Sequence, residues 1–342
     1  MNSALPRSFR KLMVTKITPN FREAVEIKHH NLVKPRPKEV LVKNKFVGIN
    51  ASDVNAAAGR YFSKVPTPPF EIGFEGIGEI VDLGEKVTEL NHGQAVMHMK
   101  FGSFSEYVYV PEEEVIPIAS PNPQLLPLLL SGTTASLSLD KCGLIVPGEK
   151  VLVTAAAGGA GHIAVQWAKN AGCHVIGTCS SPDKVKFLES IGCDRPINYK
   201  EESLADVLRS EYPDGINVVW ESIGGEVFDT LFKNLAIKGR MVVIGAISKY
   251  TDGSFGQDTS KGLTTKLLVR STMLNGFFLP HFINDVPHYM NILVRLLHEQ
   301  KLKPYIDDGS LQGSSFKGLE DITRAVEYLH SGKSKGKVIV SL

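Results

Sequence analysis

A glycine-rich stretch at residues 155–161 (AAAGGAG) is the segment of this sequence best suited to hold a phosphate group. It follows an apolar run and precedes residues with helical spacing, so we expect a strand–turn–helix unit. Residues without bulky side chains let a pyrophosphate approach the backbone, and the helix amino terminus offers N–H groups. The spacing is a variant of the dinucleotide fingerprint GxGxxG; a tight turn without a ligand is the alternative. The predicted cofactor contacts in this turn are Gly158, Gly159, Ala160 and Gly161.

The end of the second strand of this unit indicates which dinucleotide binds. NAD-binding proteins carry Asp or Glu there, which accepts hydrogen bonds from the ribose hydroxyls. Residues 178–181 instead read Thr-Cys-Ser-Ser, and the hydroxyls of Ser180 and Ser181 accommodate a 2′-phosphate. Lys184 lies in the first turn of a helix that begins after Ser181, where its ammonium can pair with that phosphate. Tyr199 offers a phenol after the third strand. A solvated helix lysine is the alternative for Lys184, but the missing acid favours NADPH.

Three later loops stand where the nicotinamide half of the cofactor is expected, at the carboxyl ends of predicted strands. The predicted contacts are Ser222, Ile244, Gly245, Ile247, Phe277, Phe278 and Leu279. For Phe277 and Phe278, a purely structural role in the core is the alternative.

The order of the predicted elements indicates two domains. Residues 39–48 and 103–110 alternate apolar and polar side chains, and residues 73–83 are rich in glycine and β-branched residues. This pattern is typical of a compact antiparallel barrel-like domain. From residue 125, short apolar strands alternate with helices, and this pattern predicts a doubly wound parallel sheet. One of these helices, before the strand at 241–245, is expected to stop at Gly239. The predicted division is 1–124 for the first domain, 125–280 for the dinucleotide-binding domain, and 281–342 for a return to the first.

The composition narrows the function classes. Apolar residues make up 43% of the 342 residues, and 38 Lys and Arg balance 36 Asp and Glu, so a net charge of +2 gives no case for a nucleic-acid surface. The sequence contains no run of about 18 apolar residues, so no membrane span is expected. Cys142, Cys173, Cys179 and Cys193 form no CxxC pair, which favours a reducing compartment. Residues 1–11 lack an apolar signal core, and we expect a cytoplasmic protein.

Several phrases resemble the quinone oxidoreductase branch of the medium-chain dehydrogenase/reductases, in order along nearly the whole chain. They lie at 48–61, 68–87, 129–135, 151–169, 177–200 and 221–225. Phrases at 20–25, 73–79, 175–181, 192–200 and 276–279 are most similar to the prostaglandin reductases of that branch. The resemblance implies an α/β protein with a Rossmann domain and a GroES-like, mainly-β catalytic domain, with the active site between them. It also implies an NADPH-dependent 15-oxoprostaglandin 13-reductase activity, a homodimer, and a peroxisomal alternative for location. The chain ends Val340-Ser341-Leu342, which is not a peroxisomal address.

The zinc branch of the family carries a cysteine and a histidine at two positions where this chain has other residues. Asn50 stands in the place of the cysteine in the phrase at 48–53, and Phe74 stands in the place of the histidine in Gly73-Phe74-Glu75. Catalytic zinc needs thiolate and imidazole ligands, so we predict an enzyme that binds no metal.

Without a metal, hydride transfer to an enone needs a hydrogen-bond donor for the oxygen that becomes negative. The resemblance places Tyr61 as that donor, with packing as its alternative and the ribose hydroxyl of the cofactor as a rival. Asn50 is expected to orient the nicotinamide carboxamide or to bond the substrate oxygen, and the resemblance implies that Thr134 lies near the nicotinamide. Ser334 stands where relatives carry an asparagine close to the cofactor.

The predicted function is therefore reduction of a small enone or lipid-derived substrate by NADPH. A quinone reductase is the alternative within the same class, and a non-catalytic NADPH-binding protein is the alternative outside it. Loops at 61–69 and 253–263 are expected to wall the substrate pocket, so the exact substrate stays open.

Overall fold

The structure is a computed structural model that describes residues 5–251 and 262–342. The predicted pocket loop at 253–263 therefore lies almost wholly outside the described residues. Contacts divide the chain into two compact units, one of residues 1–130 with 306–342 and the other of residues 131–305. The boundaries predicted from the sequence lie between residues 124 and 125 and between residues 280 and 281.

The first unit is built mainly from antiparallel strands. Its strands are β1 Ser8–Val14, β2 Val25–Asn31, β3 Glu39–Gly48, β4 Phe70–Glu71, β5 Gly76–Leu83, β6 Ala95–His98, β7 Tyr107–Pro111, β8 Val115–Pro117, β15 Ile306–Asp307 and β16 Lys337–Ser341. Its helices are α1 Phe21–Ala24, α2 Ser52–Ala57 and α10 Ile322–His330.

Ten-residue β3 organises the larger sheet of this unit. The sheet has seven strands in the order β15-β16-β3-β5-β6-β8, with β7 also paired to β3. Buried valines and isoleucines, including Val40, Val42, Ile80, Val96 and Val110, pack between these strands. The structure pairs Ile339 with Gly48, so the last strand of the chain lies beside β3.

The second unit is a parallel sheet with helices between its strands. Its strands are β9 Lys150–Val153, β10 His174–Cys179, β11 Arg195–Asn198, β12 Ile216–Glu221, β13 Leu235–Val243 and β14 Met273–Gly276. Its helices are α3 Leu130–Leu137, α4 Gly161–Asn170, α5 Pro182–Ser190, α6 Leu204–Glu211, α7 Gly225–Lys233, α8 Leu263–Arg270 and α9 Val286–His298.

The strand order of this sheet is β11-β10-β9-β12-β13-β14. In chain order that is 3-2-1-4-5-6, the order of the dinucleotide-binding fold, so the predicted doubly wound sheet is confirmed. Five of the six residues of β10 are buried, because helices cover both faces of a parallel sheet.

Three predicted boundaries were wrong. The helix before the fifth strand of this sheet ends at Lys233, whereas Gly239 lies inside β13. Lys238 has a φ of 62°, and the pairing of β13 with β12 shifts between Ile216 and Val218, so glycine marks a bulge there and no helix end. In the first unit β5 begins at Gly76 and not at residue 73, since Gly73 has a left-handed φ of 95°. Strand β7 likewise begins at Tyr107, after the predicted 103.

Helix α9 explains why the second unit extends beyond residue 280. Tyr289 of α9 contacts Trp167 of α4 with ring centroids 5.9 Å apart, and Met290 and Leu293 are buried. Across residues 5–251 and 262–342, none of the helices has the length and apolar composition needed to cross a membrane. The four cysteines are unpaired thiols, and three of them are buried.

Candidate functional site

The turn between β9 and α4 leaves little room for a side chain at two of its glycines. A Cβ at Gly161 would lie 2.4 Å from the carbonyl oxygen of Ala155, and one at Gly158 would lie 3.2 Å from the same atom. Helix α4 begins at Gly161 without a side-chain cap. An uncapped helix start beside a turn of small residues can donate N–H groups to a pyrophosphate, so these residues fit a dinucleotide.

Two loops meet where the strand order of the sheet reverses, between β9 and β12. The Thr154 Oγ1 and Ser222 Oγ atoms are 3.0 Å apart, and the Ser222 N–H donates to Thr154 Oγ1 at 2.8 Å. In sheets of this kind ligands bind in the crevice at the switch point. The structure therefore brings the predicted contact Ser222 beside the base of the glycine turn.

The predicted 2′-phosphate residues gather at the carboxyl end of β10. Ser181 caps α5 by accepting from the Lys184 N–H, so the helix begins after Ser181 as the sequence predicts, and Pro182 occupies the first helical position. The Tyr199 N–H donates to the Cys179 carbonyl at 3.1 Å, which sets Tyr199 beside Ser180. Tyr199 is 55% exposed and its phenol is accessible to a ligand.

The loops assigned to the nicotinamide half also lie together. The Ile244 N–H donates to the Glu221 carbonyl at 2.8 Å, and the Ile247 N–H donates to the Ser222 carbonyl at 2.9 Å. A Cβ at Gly245 would lie 2.9 Å from the Tyr250 hydroxyl.

The two phenylalanines of the third loop differ. Phe277 is buried and its ring stacks on Phe282 with centroids 4.7 Å apart, which is the packing alternative raised from the sequence. Phe278 is 39% exposed, and Leu279 is buried. Thr134 is half-buried on α3, and Ser334 is buried just before β16.

Asn50 lies in a buried polar network within the first unit. Its Nδ2 donates to Glu75 Oε1 at 3.0 Å and to the Gly48 carbonyl at 3.3 Å, and its Oδ1 accepts from Lys337 Nζ at 2.6 Å. Lys337 also pairs with Glu75, and the two side chains are 1% and 0% exposed. Glu75 Oε2 accepts from the Leu130 N–H at 2.9 Å.

This network fixes how the Asn50 amide faces. An ammonium has only donors and a carboxylate only acceptors, so the amide oxygen must face Lys337 and its NH₂ must face Glu75. Both amide hydrogens then have protein acceptors. The amide oxygen has two lone pairs and accepts from Lys337 with one of them, which leaves the other for a further donor. The sequence found Asn50 but missed Glu75 and Lys337, because residues 25 and 287 positions away cannot be paired from spacing alone.

Asp53 adds a second buried acid beside this network. Its Oδ2 accepts from the Asn50 N–H at 2.8 Å, while its Oδ1 is buried with no hydrogen-bond partner. Burial raises the pKa of Asp53 to about 8, and the Lys337 charge opposes that rise only in part.

Phe74, at the position where the zinc branch carries a histidine, belongs to an aromatic cluster. The Phe74 ring lies 5.5 Å from that of Phe101, and Phe101 in turn contacts Phe62. Within the described part of the chain, no three His, Cys, Asp or Glu side chains gather into a group able to hold a metal ion.

Tyr61 follows α2 and lies in the same unit as Asn50. Its hydroxyl oxygen accepts from Asn55 Nδ2 at 2.8 Å, and Asn55 Oδ1 accepts from Arg60 Nη1 at 3.0 Å. Sequence reasoning singled out Tyr61 but not Asn55 or Arg60, although all three lie within seven residues.

Sequence profiles of two families match the chain. Residues 36–120 match the alcohol dehydrogenase GroES-like domain, and residues 159–295 match the zinc-binding dehydrogenase family. The first match lies in the first unit and the second match lies in the second unit, in agreement with the fold class expected from the sequence.

Similar proteins extend over nearly the whole chain. Prostaglandin reductase-3 of Mus musculus is 50% identical over 99% of this chain and 91% of its own. A probable quinone oxidoreductase of Leishmania amazonensis is 40% identical over 98% of this chain and 99% of its own. Among solved structures, the Escherichia coli quinone oxidoreductase complexed with NADPH has a TM-score of 0.84 at 26% identity, covering 97% of this chain and all of that one.

Proposed function

Because the chain belongs to the medium-chain dehydrogenase/reductase family, in its quinone oxidoreductase branch, we propose that it is an NADPH-dependent reductase of α,β-unsaturated ketones. Its substrate class is lipid-derived enones such as 15-oxoprostaglandins. The observation that carries the proposal is the identity of 50% with a prostaglandin reductase-3 over 99% of the chain.

The cofactor is NADPH, and the second unit supplies its binding residues. The glycine turn at the switch point fits a pyrophosphate, and the end of β10 offers Ser180, Ser181, Lys184 and Tyr199 for a 2′-phosphate. The same strand end lacks the carboxylate that selects NAD. When bound, NADPH supplies a hydride equivalent to a double bond conjugated to a carbonyl.

Tyr61 donates a hydrogen bond to the substrate carbonyl oxygen. This oxygen gains negative charge during the reaction, so a phenol bonded to it stabilises the transition state more than the ground state. Asn50 orients the nicotinamide carboxamide through its remaining acceptor lone pair. Its two amide hydrogens are bonded to Glu75 and Gly48, which argues against Asn50 as the donor to substrate.

The reaction needs no metal. Asn50 and Phe74 stand at the positions where the zinc branch has ligands, and a lysine ammonium lies beside Glu75. Elemental analysis of the purified protein is expected to give far less than one zinc per chain, and activity is expected to survive a chelator. Stoichiometric zinc would contradict this part of the proposal.

A quinone reductase is the second candidate, and the relative from Leishmania amazonensis supports it. The experiment that separates the two is a screen of NADPH oxidation over enones, enals and quinones, with each product identified by mass spectrometry. The proposal predicts saturated ketones from enones. Quinols as the sole products would favour the second candidate, and no turnover of any acceptor would favour a non-catalytic NADPH-binding protein.

We further propose that the protein is a cytoplasmic homodimer that acts on small molecules and not on nucleic acids or membranes. The unpaired cysteines support a reducing compartment. Strand β14 lies at one edge of the described parallel sheet, and such edges are generally covered. Leu268 and Val269, on the helix before β14, are 79% and 71% exposed and would contribute apolar contact area.

A further inference from the structure

We propose that Asn55 is a positioning residue that holds Tyr61 as a hydrogen-bond donor, and that Arg60 polarises the Asn55 amide for this purpose. The proposal rests on the role proposed above for Tyr61. It assigns functions to Asn55 and Arg60, two side chains that the proposed function leaves without one.

The turn after α2 fixes the three residues relative to one another. Gly59 has a φ of 73°, its N–H donates to the Ala56 carbonyl at 3.0 Å, and the Arg60 N–H donates to the Asn55 carbonyl at 2.9 Å. These are the two backbone bonds of a Schellman motif, which reverses the chain after a helix. Arg60 and Tyr61 are therefore brought back over Asn55 by backbone geometry and not by their own side chains.

The orientation of the Asn55 amide follows from the chemistry of Arg60. A guanidinium has only hydrogen-bond donors, so the atom 3.0 Å from Arg60 Nη1 must be the amide oxygen. The NH₂ group then faces Tyr61 and donates to its hydroxyl oxygen at 2.8 Å. Asn55 is 0% exposed, so bulk water does not compete for these bonds.

This arrangement matters because a phenol can both donate and accept. Asn55 occupies an acceptor lone pair of the Tyr61 oxygen, which directs the single phenol hydrogen away from Asn55. The positively charged guanidinium bonded to the amide oxygen strengthens the N–H donor on the other side of the amide. That donor stabilises the negative charge that develops on the phenol oxygen when its proton is shared with a substrate carbonyl.

The most discriminating change is Asn55→Asp. It is isosteric and gains an ion pair with Arg60, so the fold is expected to be kept. It replaces the donor facing Tyr61 by an acceptor, which captures the phenol proton. We expect kcat for an enone to fall about three- to tenfold, the range of one neutral hydrogen bond, with the KM for NADPH unchanged. Asn55→Leu removes the donor without adding an acceptor and is expected to lose a similar factor.

Measuring both changes in a Tyr61→Phe background tests whether Asn55 acts through the phenol. The expected result is that Asn55→Asp causes no further loss of kcat there, because the group that it acts on is gone. Equal losses in the two backgrounds would overturn the proposal and leave Asn55 as a structural residue. Arg60→Gln is expected to give a smaller loss than Asn55→Asp, while Arg324→Gln, an exposed arginine of the same unit, is the control that should leave kcat unchanged.

A readout without substrate separates this proposal from the proposed function. The ultraviolet difference titration of the wild type against Tyr61→Phe reports the ionisation of this one phenol. Ionisation at a lower pH than in the Asn55→Leu protein is the expected result, even if the natural substrate proves to be a quinone. Ionisation at the same pH in both would overturn the proposal, whereas wild-type protein that saturates no enone would overturn only the proposed function.

Discussion

Lys184 is the residue on which we expect the preference for NADPH over NADH to depend. It lies in the first turn of α5, next to Ser181, at the strand end that lacks a carboxylate. We expect Lys184→Ala to weaken the binding of NADPH by about 10- to 150-fold, which corresponds to the roughly 1.5–3 kcal/mol of one charge-assisted hydrogen bond. NADH has no 2′-phosphate, so its affinity should stay the same.

Fluorescence titration of both cofactors is the measurement for this prediction. Lys186→Ala provides a matched control, since Lys186 is an exposed lysine on the same helix. Equal losses for NADPH and NADH in the Lys184 variant would mean that the lysine does not contact the phosphate.

Asp53 is a residue whose ionisation should limit stability at neutral and alkaline pH. Burial raises its pKa from 3.8 to about 8, so the folded protein holds a proton that the unfolded chain releases above pH 3.8. Because the folded state binds more protons in this interval, the free energy of unfolding falls as the pH rises from about 4 to about 8. The slope attributable to this one group is about 1.4 kcal/mol per pH unit.

The variant Asp53→Asn removes this titration while keeping an oxygen to accept from the Asn50 N–H. In urea unfolding between pH 5 and pH 8, we expect the free energy of unfolding to change less with pH in the variant than in the wild type. This range lies between the ordinary pKa of the carboxyl and its raised value of about 8. A pH dependence identical to that of the wild type would show that Asp53 is ionised in the folded state.

Among the elements, β16 brings a buried cation to the last residue of the β4–β5 connection. Lys337 opens β16 and pairs with Glu75, which precedes β5, and both are almost fully buried. Removing one member of a buried ion pair leaves an uncompensated charge. We therefore expect Lys337→Met to lower the free energy of unfolding by about 3–5 kcal/mol.

The double variant Lys337→Met/Glu75→Gln tests the cause of that loss. It leaves no unpaired charge, so chemical denaturation should show a smaller loss than for Lys337→Met alone. Lys16→Met breaks the exposed pair with Glu23 and should leave the unfolding midpoint unchanged. A double variant less stable than the single variant would contradict a charge-based explanation.

Elements with strong local patterns were predictable from the sequence, and contacts between distant elements were not. The turn at 155–161, the Ser181 cap and the parallel sheet follow from local chemistry, and the structure has all three. Gly239 was misread because a glycine ends a helix and marks a strand bulge with equal ease. Asn50 was found by its place in a phrase, whereas its partners Glu75 and Lys337 are brought to it by strand pairing that spacing does not encode.

At the scale of the whole molecule, the edge strand β14 should set the oligomeric state. We expect a dimer by light scattering at micromolar concentration, because two such edges cover each other when they pair. The double change Leu268→Lys/Val269→Lys adds charge to two exposed apolar positions before that edge and should shift the mass toward the monomer. A monomeric wild type would show that the edge is covered in another way.

An NADPH-dependent enone reductase saturates the carbon–carbon double bond of its substrate with a hydride from the cofactor. The most direct test of this proposed activity is a single-turnover reaction with NADPH deuterated at the transferable position, followed by nuclear magnetic resonance of the product. We expect a saturated ketone with the deuterium on the carbon β to the carbonyl and a solvent proton on the α carbon. Deuterium on the hydroxyl-bearing carbon of an allylic alcohol would contradict this assignment, and so would enone left unreduced while a quinone is reduced.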